Sequence, residues 1–297
     1  MAPVTPRSLV LLGVGIVAVS FASILIRLSD APALSIAFYR NALAACLVVP
    51  LAVVRHRDEM RGLRPRDWGM GVLAGALLAV HFGVWIPSLS YTSVAASTVL
   101  VTSQPIWVVL IGRLGGERVS RRLVAGVGLS LAGAGLISGG DFGVSARAAF
   151  GDLLAILGAV AAAGYYVSGR SLRQRVSLLT YVGIAYPTCA VLLGAAMLFS
   201  GTAFSGFEAM DWLLFGLLAL GPQIMGHTVF NYLLRDVEAT VVAVAVTFEP
   251  VGASLLAFAF FGEVPRWTAF AGGALILAGI YATVAAQTRR SEVAPVQ

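Results

Sequence analysis

From Thr240 to Glu263 the chain reads TVVAVAVTFEPVGASLLAFAFFGE, an apolar run with one acid, Glu249, well inside it and Pro250 directly after. About 20 such residues, wound as a helix, cover the roughly 30 Å of hydrocarbon in a bilayer. At that depth every backbone group must find its partner within the protein, which leaves helices or closed barrels. An acid there is costly for its charge, and a proline for the hydrogen bond it removes. The same device occurs earlier, in Val94 to Glu117, VAASTVLVTSQPIWVVLIGRLGGE, where Gln104 and Pro105 hold the matching places.

Apolar runs recur along the whole chain and predict helices over 8–28, 35–54, 68–90, 94–113, 121–140, 150–170, 178–200, 211–233, 239–262 and 267–287. With 59% hydrophobic and 11% charged residues and a mean hydropathy of +0.90, a soluble domain is excluded. The expected fold is an all-α integral membrane protein with ten transmembrane helices. The N-terminal apolar segment behind Arg7 carries no convincing cleavage site and is read as the first helix. Arginine clusters at Arg55–Arg66, Arg113–Arg122 and Arg170–Arg175 fall on one side with Arg7, Arg235, Arg289 and Arg290; Arg27, Arg147 and Arg266 fall on the other. This bias predicts that both termini are cytoplasmic, in the inner (plasma) membrane. Short arginine loops do not make a nucleic-acid face, and with no lysine in the chain a phosphate-binding loop with its Lys is absent. Cys46 and Cys189 lie inside predicted spans, and no metal or cofactor is expected.

Gln104-Pro105 matches Glu249-Pro250 at an offset of 145; Glu117 matches Glu263, Gly126 matches Gly272 and Gly133 matches Gly279 at 146. The chain thus divides into 1–143 and 144–297, five helices each. An odd number makes the halves enter the membrane in opposite directions, and such inverted repeats typify secondary transporters with a midplane site. In the fifth helix Gly135 and Gly139, and Gly128 and Ala132, form small-residue pairs suited to close packing within the chain.

Polar and aromatic side chains on the spans are the candidate substrate contacts. Glu249 is either a proton-exchanging acid or a neutral Glu bonding the carbonyl freed by Pro250. Gln223, His227 and Asn231 recur every four residues on the eighth helix, and His81, Trp85 and Ser88 share a face of the third, with Pro87 nearby. Trp85 also suits an interfacial anchor. Ser97, Gln104 and Trp107 mark the fourth helix, Tyr165, Tyr166 and Ser168 the sixth, and Ser20, Ser23 and Arg27 the first. From these, Ser23, His81, Trp85, Gln104, Trp107, Tyr165, Tyr166, His227, Asn231 and Glu249 are the expected substrate-binding set, and Pro105 and Pro250 the hinges or gates. Arg40, the one basic residue inside a span, stands near the outer end of its helix, close enough to snorkel outward, and is expected either to pair with a helix end or to guide an anion. Glu117 and Glu263 precede helix starts, where the dipole favours an acid.

Five-plus-five helices with a proline in the fourth and ninth, the Gly116-Glu117 and Gly262-Glu263 endings with Arg118 after the first, and Tyr39-Arg40 in helix 2 together resemble the EamA-type members of the drug/metabolite transporter superfamily. The resemblance implies a basket-like bundle whose cavity is lined largely by helices 1, 3, 4, 6, 8 and 9. It implies export of amino acids, aromatic or broad-range, or related small metabolites, by a chain functional as a monomer with a small-molecule substrate and the lipid bilayer as partners. A proton-coupled exporter of organic cations is the alternative, although the first helix lacks the acid of the four-helix cation exporters. An intramembrane enzyme finds no nucleophile or metal signature here.

Overall fold

The computed structural model describes residues 4–92, 94–117, 119–138, 145–262, 264 and 267–293, and these are helical with no strand among them. Arg118, Gly139, Glu263 and Arg266 lie outside the described residues, as does what was expected of them. In chain order the helices are α1 (Pro6–Arg27), α2 (Ala33–Arg55), the short α3 (Arg57–Arg61), α4 (Pro65–Ser88), α5 (Val94–Val101), α6 (Gln104–Leu114) and α7 (Arg121–Ser138). They continue with α8 (Ala146–Arg173), α9 (Leu178–Ser200), α10 (Ala209–Leu218), a π-helical segment (Ala219–Thr228), α11 (Val229–Leu233), α12 (Ala239–Val246), α13 (Glu249–Phe261) and α14 (Trp267–Val293). Among the described residues, eight helical stretches are long and apolar enough to cross a membrane. The predicted fifth and tenth spans are helical too, as α7 and α14, and these pack along each other.

Local chemistry sets the ends. Thr5 and Ser145 accept the Ser8 and Ala148 N–H groups at 3.2 and 3.1 Å, capping α1 and α8, and Pro6 sits where the missing N–H costs nothing. Ser120 Oγ does the same for α7, accepting from Leu123 N at 3.2 Å. Glu117, expected to serve that helix start, instead lies exposed and folded back over Gly112. Gly262 closes α13 at φ +69°, a left-handed conformation that favours glycine.

The predicted fourth and ninth helices are each broken, at Thr102-Ser103 and at Thr247-Phe248. Pro105 and Pro250, both buried, enter the second turn-start of α6 and α13 and remove a helical N–H at the same relative depth. At both breaks the backbone tightens: Ser103 N bonds Leu100 O at 3.2 Å, and Phe248 N bonds Ala245 O at 3.1 Å. The predicted eighth helix is broken differently. Pro222 lies within it, and a π turn from Ala219 to Thr228 takes up the strain between α10 and α11.

Packing follows the sequence repeat. α4 lies on α8, and the α10–π–α11 rod lies on α1; α1 touches α13, and α6 touches α8; α2 and α9 pack on each other, as do α7 and α14. At the last contact a methyl added to Gly126 would sit 2.9 Å from Gly279 O, and one on Gly133 would sit 3.0 Å from Ile276 N and against Gly272 O. Gly126 therefore meets Gly279, and Gly133 meets Gly272. A methyl added to Gly128 or to Gly135, one member of each pair expected for close packing, would meet no other part of the protein within 4 Å. The seam is one residue-face away, because Gly126, Ser130 and Gly133 share the stripe that faces α14.

Candidate functional site: a closed polar cavity between the broken helices

Seven of the ten expected substrate contacts meet in one narrow cavity: His81, Trp85, Gln104, Tyr165, Tyr166, His227 and Glu249 line it together. Its volume is about 30 Å3, room for roughly two waters. All seven come from the places where the helical rods are broken or closely packed. Gln104 and Glu249 are the first residues after the two breaks. His227 closes the π turn, and His81 and Trp85 stack at 5.7 Å along α4. His81 Nδ1 is 2.9 Å from Gly158 O, a bond that ties α4 to α8. The α8 backbone comes this close because Gly158 has no side chain: an added methyl would sit 3.1 Å from Trp85 Cβ. Trp85, with 4% of its surface exposed, is a cavity wall and not an interfacial anchor.

The other three stand elsewhere. Ser23 lines a separate opening of about 200 Å3 beside Arg27, Ser29 and Ser90, at the far end of α1. Trp107 packs half-buried against the core on α6, beyond the cavity. Asn231 lies one layer behind: its amide donates to Tyr165 Oη at 2.5 Å and reaches Tyr186 Oη at 3.4 Å. The π turn explains this, since it shifts Gln223, His227 and Asn231 off the single α-helical face that their spacing predicts. Ser88 and Ser97 bond each other at 2.7 Å, Ser168 bonds Gly164 O on its own helix, and Ser20 bonds Ile16 O. These hydroxyls satisfy themselves by packing bonds.

Two groups escape the sequence reading. Arg40 does not snorkel. It is fully buried and lines the cavity, its Nε donating to Gln223 Oε1 at 3.2 Å and its guanidinium 4.0 Å from the centre of the Phe82 ring. Helix α2 thereby joins the lining, beyond the helices that the family resemblance implied. Thr102 and Thr247, 145 residues apart and both fully buried, donate to Val99 O at 3.1 Å and Val244 O at 2.6 Å just before the breaks. Thr247 thus adds a hydroxyl bond at the second break, to Val244 O; the carbonyl that Pro250 frees, for which Glu249 had been a candidate, is that of Val246. The signal was present in the matched VxVTxxP of the two stretches.

A second opening, of about 330 Å3, lies at the opposite end from Ser23 and includes Glu117, Arg170, Gln174, Glu238 and Thr240. The cavity therefore sits between two larger vestibules and is the narrowest of the three. Among the described residues no cluster of three metal-ligating side chains occurs.

The sequence profile of the EamA-like transporter family matches residues 7–139 and again 149–285. An uncharacterized transporter of Archaeoglobus fulgidus is 31% identical over 279 residues, 90% of this chain and 93% of that protein. A probable terminal-alkyne amino-acid exporter of Streptantibioticus cattleyicolor is 25% identical over 78% of each chain. A crystal structure of 20% identity superposes with a TM-score of 0.78 over 96% of this chain and 98% of that one, and shares the fold.

Proposed function

The chain belongs to the EamA-like transporter family, and from that premise we propose that it is a secondary transporter exporting amino acids or related small metabolites by alternating access. It sits in the inner (plasma) membrane as a monomer and crosses it ten times, α7 and α14 adding two crossings to the eight long apolar stretches. The arginine bias places both termini in the cytoplasm and makes the Ser23 vestibule the outer one.

The halves 1–143 and 144–297 act as inverted repeats. Three observations support this: the profile matches twice, the packing pairs are exchanged between the halves, and Gly126 meets Gly279 while their counterparts Gly272 and Gly133 meet each other. That reciprocity is the mark of a two-fold relation.

One observation carries the reading: a cavity lined by polar side chains and narrowed to about 30 Å3, at the two proline breaks, between a vestibule on either side. A passive pore would join the vestibules, and an enzyme would keep its cavity open to one. A carrier must pass through a closed state, with Pro105 and Pro250 as the hinges about which each half swings. The amino-acid class draws on the named function of the Streptantibioticus relative and on a lining of tyrosine, tryptophan and hydrogen-bonding groups. Purified protein in liposomes, preloaded with one amino acid and offered it radiolabelled outside, should show counterflow. Flux no greater than in empty liposomes for every amino acid sinks the proposal.

A further inference from the structure

The cavity holds more unpaired donors than acceptors. Arg40 uses Nε on Gln223, while Nη1 and Nη2 are buried without a hydrogen-bond partner. In the same lining Trp85 Nε1 and His227 Nδ1 are likewise buried and unpartnered, as is Nε2 of Gln223, the residue that accepts from Arg40. Gln223 is fixed in this sense, because its Oε1 already accepts from Arg40 and its amide nitrogen must face away. The Phe82 ring holds the guanidinium plane from one side at 4.0 Å, which fixes direction but supplies no acceptor. A guanidinium at this depth with its outer fork unsatisfied is expensive unless something else completes it.

We infer that Arg40 is the anchor for a carboxylate on the transported molecule, taken by Nη1 and Nη2, with Trp85 Nε1 of the same lining as a further donor to an acceptor-only ligand. The guanidinium fork matches a carboxylate in two parallel bonds, which an ammonium or a single hydroxyl does not. Glu249, lining the same cavity, is the acid that can answer an ammonium there. The two ionisable groups come from different halves of the chain, α2 in the first and α13 in the second. A zwitterion with its carboxylate on Arg40 and its ammonium toward Glu249 would draw both halves onto itself. A solute bearing only a positive charge leaves the Arg40 fork empty and faces its repulsion. This rests on the transporter reading and narrows its substrates to carboxylate-bearing amines.

The test uses full-length protein in proteoliposomes and two probe sets, the twenty protein amino acids and their α-carboxamides, which keep the ammonium and side chain and lose the anion. Wild type should carry acids at least about 30-fold better than the matching amides, the factor for losing a charge-assisted pair. In Arg40→Gln the ratio of acid flux to amide flux should fall to about one, whatever the absolute flux of either. Arg40→Lys, with the charge but not the fork, should keep part of the preference. Equal carriage of acids and amides by wild type, or an acid preference that survives in Arg40→Gln, overturns the anchor and leaves the transporter reading standing. Flux of neither set overturns both. Where Arg40→Gln does not reach the membrane folded, the wild-type and Arg40→Lys ratios decide.

Discussion

The rod α5–α6 and the rod α12–α13 are the same device built twice. Each has a buried threonine bonding a carbonyl three residues back, a break, a polar side chain facing the cavity and a buried proline. They differ in that the first presents Gln104, an amide, and the second Glu249, an acid. The same divergence recurs where α4 meets the π segment: Phe82 and His227, 145 apart, lie with ring centres 5.4 Å from one another. Arg40 has Ala185 at that offset, fully buried on α9. Backbone features repeat and charges do not. On the proposed reading, a frame of two like halves would supply the two-sided swing and the unlike walls would fit a solute with distinct ends.

The frame should be the more fragile of the two. A side chain at Gly279 has its Cβ 2.5 Å from Gly126 O and 2.8 Å from Ser130 N, backbone that cannot yield. Gly279→Val should therefore destabilise by about 3 kcal/mol, as overpacking of a tight contact does. Gly128→Val, with nothing within 4 Å, should stay within about 0.5 kcal/mol. Thermal unfolding in detergent reads both, and equal midpoints for the two variants would place the seam elsewhere.

Charge should be separable from frame. Glu249→Gln gives the second rod the residue of the first, and it should fold as wild type does while amino-acid flux drops at least about tenfold, the loss of one charge-assisted contact. Gln104→Glu tests the converse and should retain more flux than Glu249→Gln. If the two substitutions reduce flux alike, the two walls are equivalent and the asymmetry has no role.

How much of this could be read beforehand depends on what each feature leaves in the sequence. The helices follow from length and hydropathy, and observed ends such as Leu178–Ser200 fall within a few residues of the expected ones. Gln104 and Glu249 stand out because a polar group next to proline is conspicuous in an apolar run. Arg40 was misplaced because distance along a helix says nothing of where a long side chain reaches; it turns inward to Phe82 and Gln223. Gln223, His227 and Asn231 were put on one face by assuming 3.6 residues per turn, and the π turn alters that period. Thr102 and Thr247 went unnoticed because a threonine that bonds its own helix is nearly neutral in an apolar stretch.

Those threonines give a finer comparison of the two breaks. Thr102→Val and Thr247→Val each delete a hydroxyl bond with little change of shape, at a cost of about 1 kcal/mol. Thr247 makes the shorter bond, 2.6 against 3.1 Å, so its replacement should cost more. A larger loss at Thr102, measured by the same unfolding midpoints, would reverse the ranking of the two breaks.

The smallest effect contrasts the loops at the two ends. At the Arg27 end, the turn after α9 is held by Ser35 Oγ on Ala203 O at 3.0 Å and Tyr39 Oη on Phe204 O at 2.5 Å, bonds without a titrating acid. At the other end Glu59 of α3 holds the start of α9: it accepts from Ser177 N at 2.6 Å and Thr180 Oγ1 at 2.7 Å, with His56 Nδ1 at 3.1 Å. Partial burial pushes the Glu59 carboxyl up, but the Ser177 and Thr180 bonds and the neighbouring His56 outweigh it and hold the group below its ordinary value of 4.5. A lowered carboxyl stabilises the fold above that ordinary value and loses its contribution as pH falls through the folded one. The midpoint gap between wild type and Glu59→Gln should thus be full at neutral pH and close in acid, whereas Tyr39→Phe should lower the midpoint by the same amount at every pH. A Glu59→Gln gap that does not change with pH would mean that the carboxylate's charge contributes nothing to holding α9, and that the two ends of the bundle are secured alike by neutral bonds.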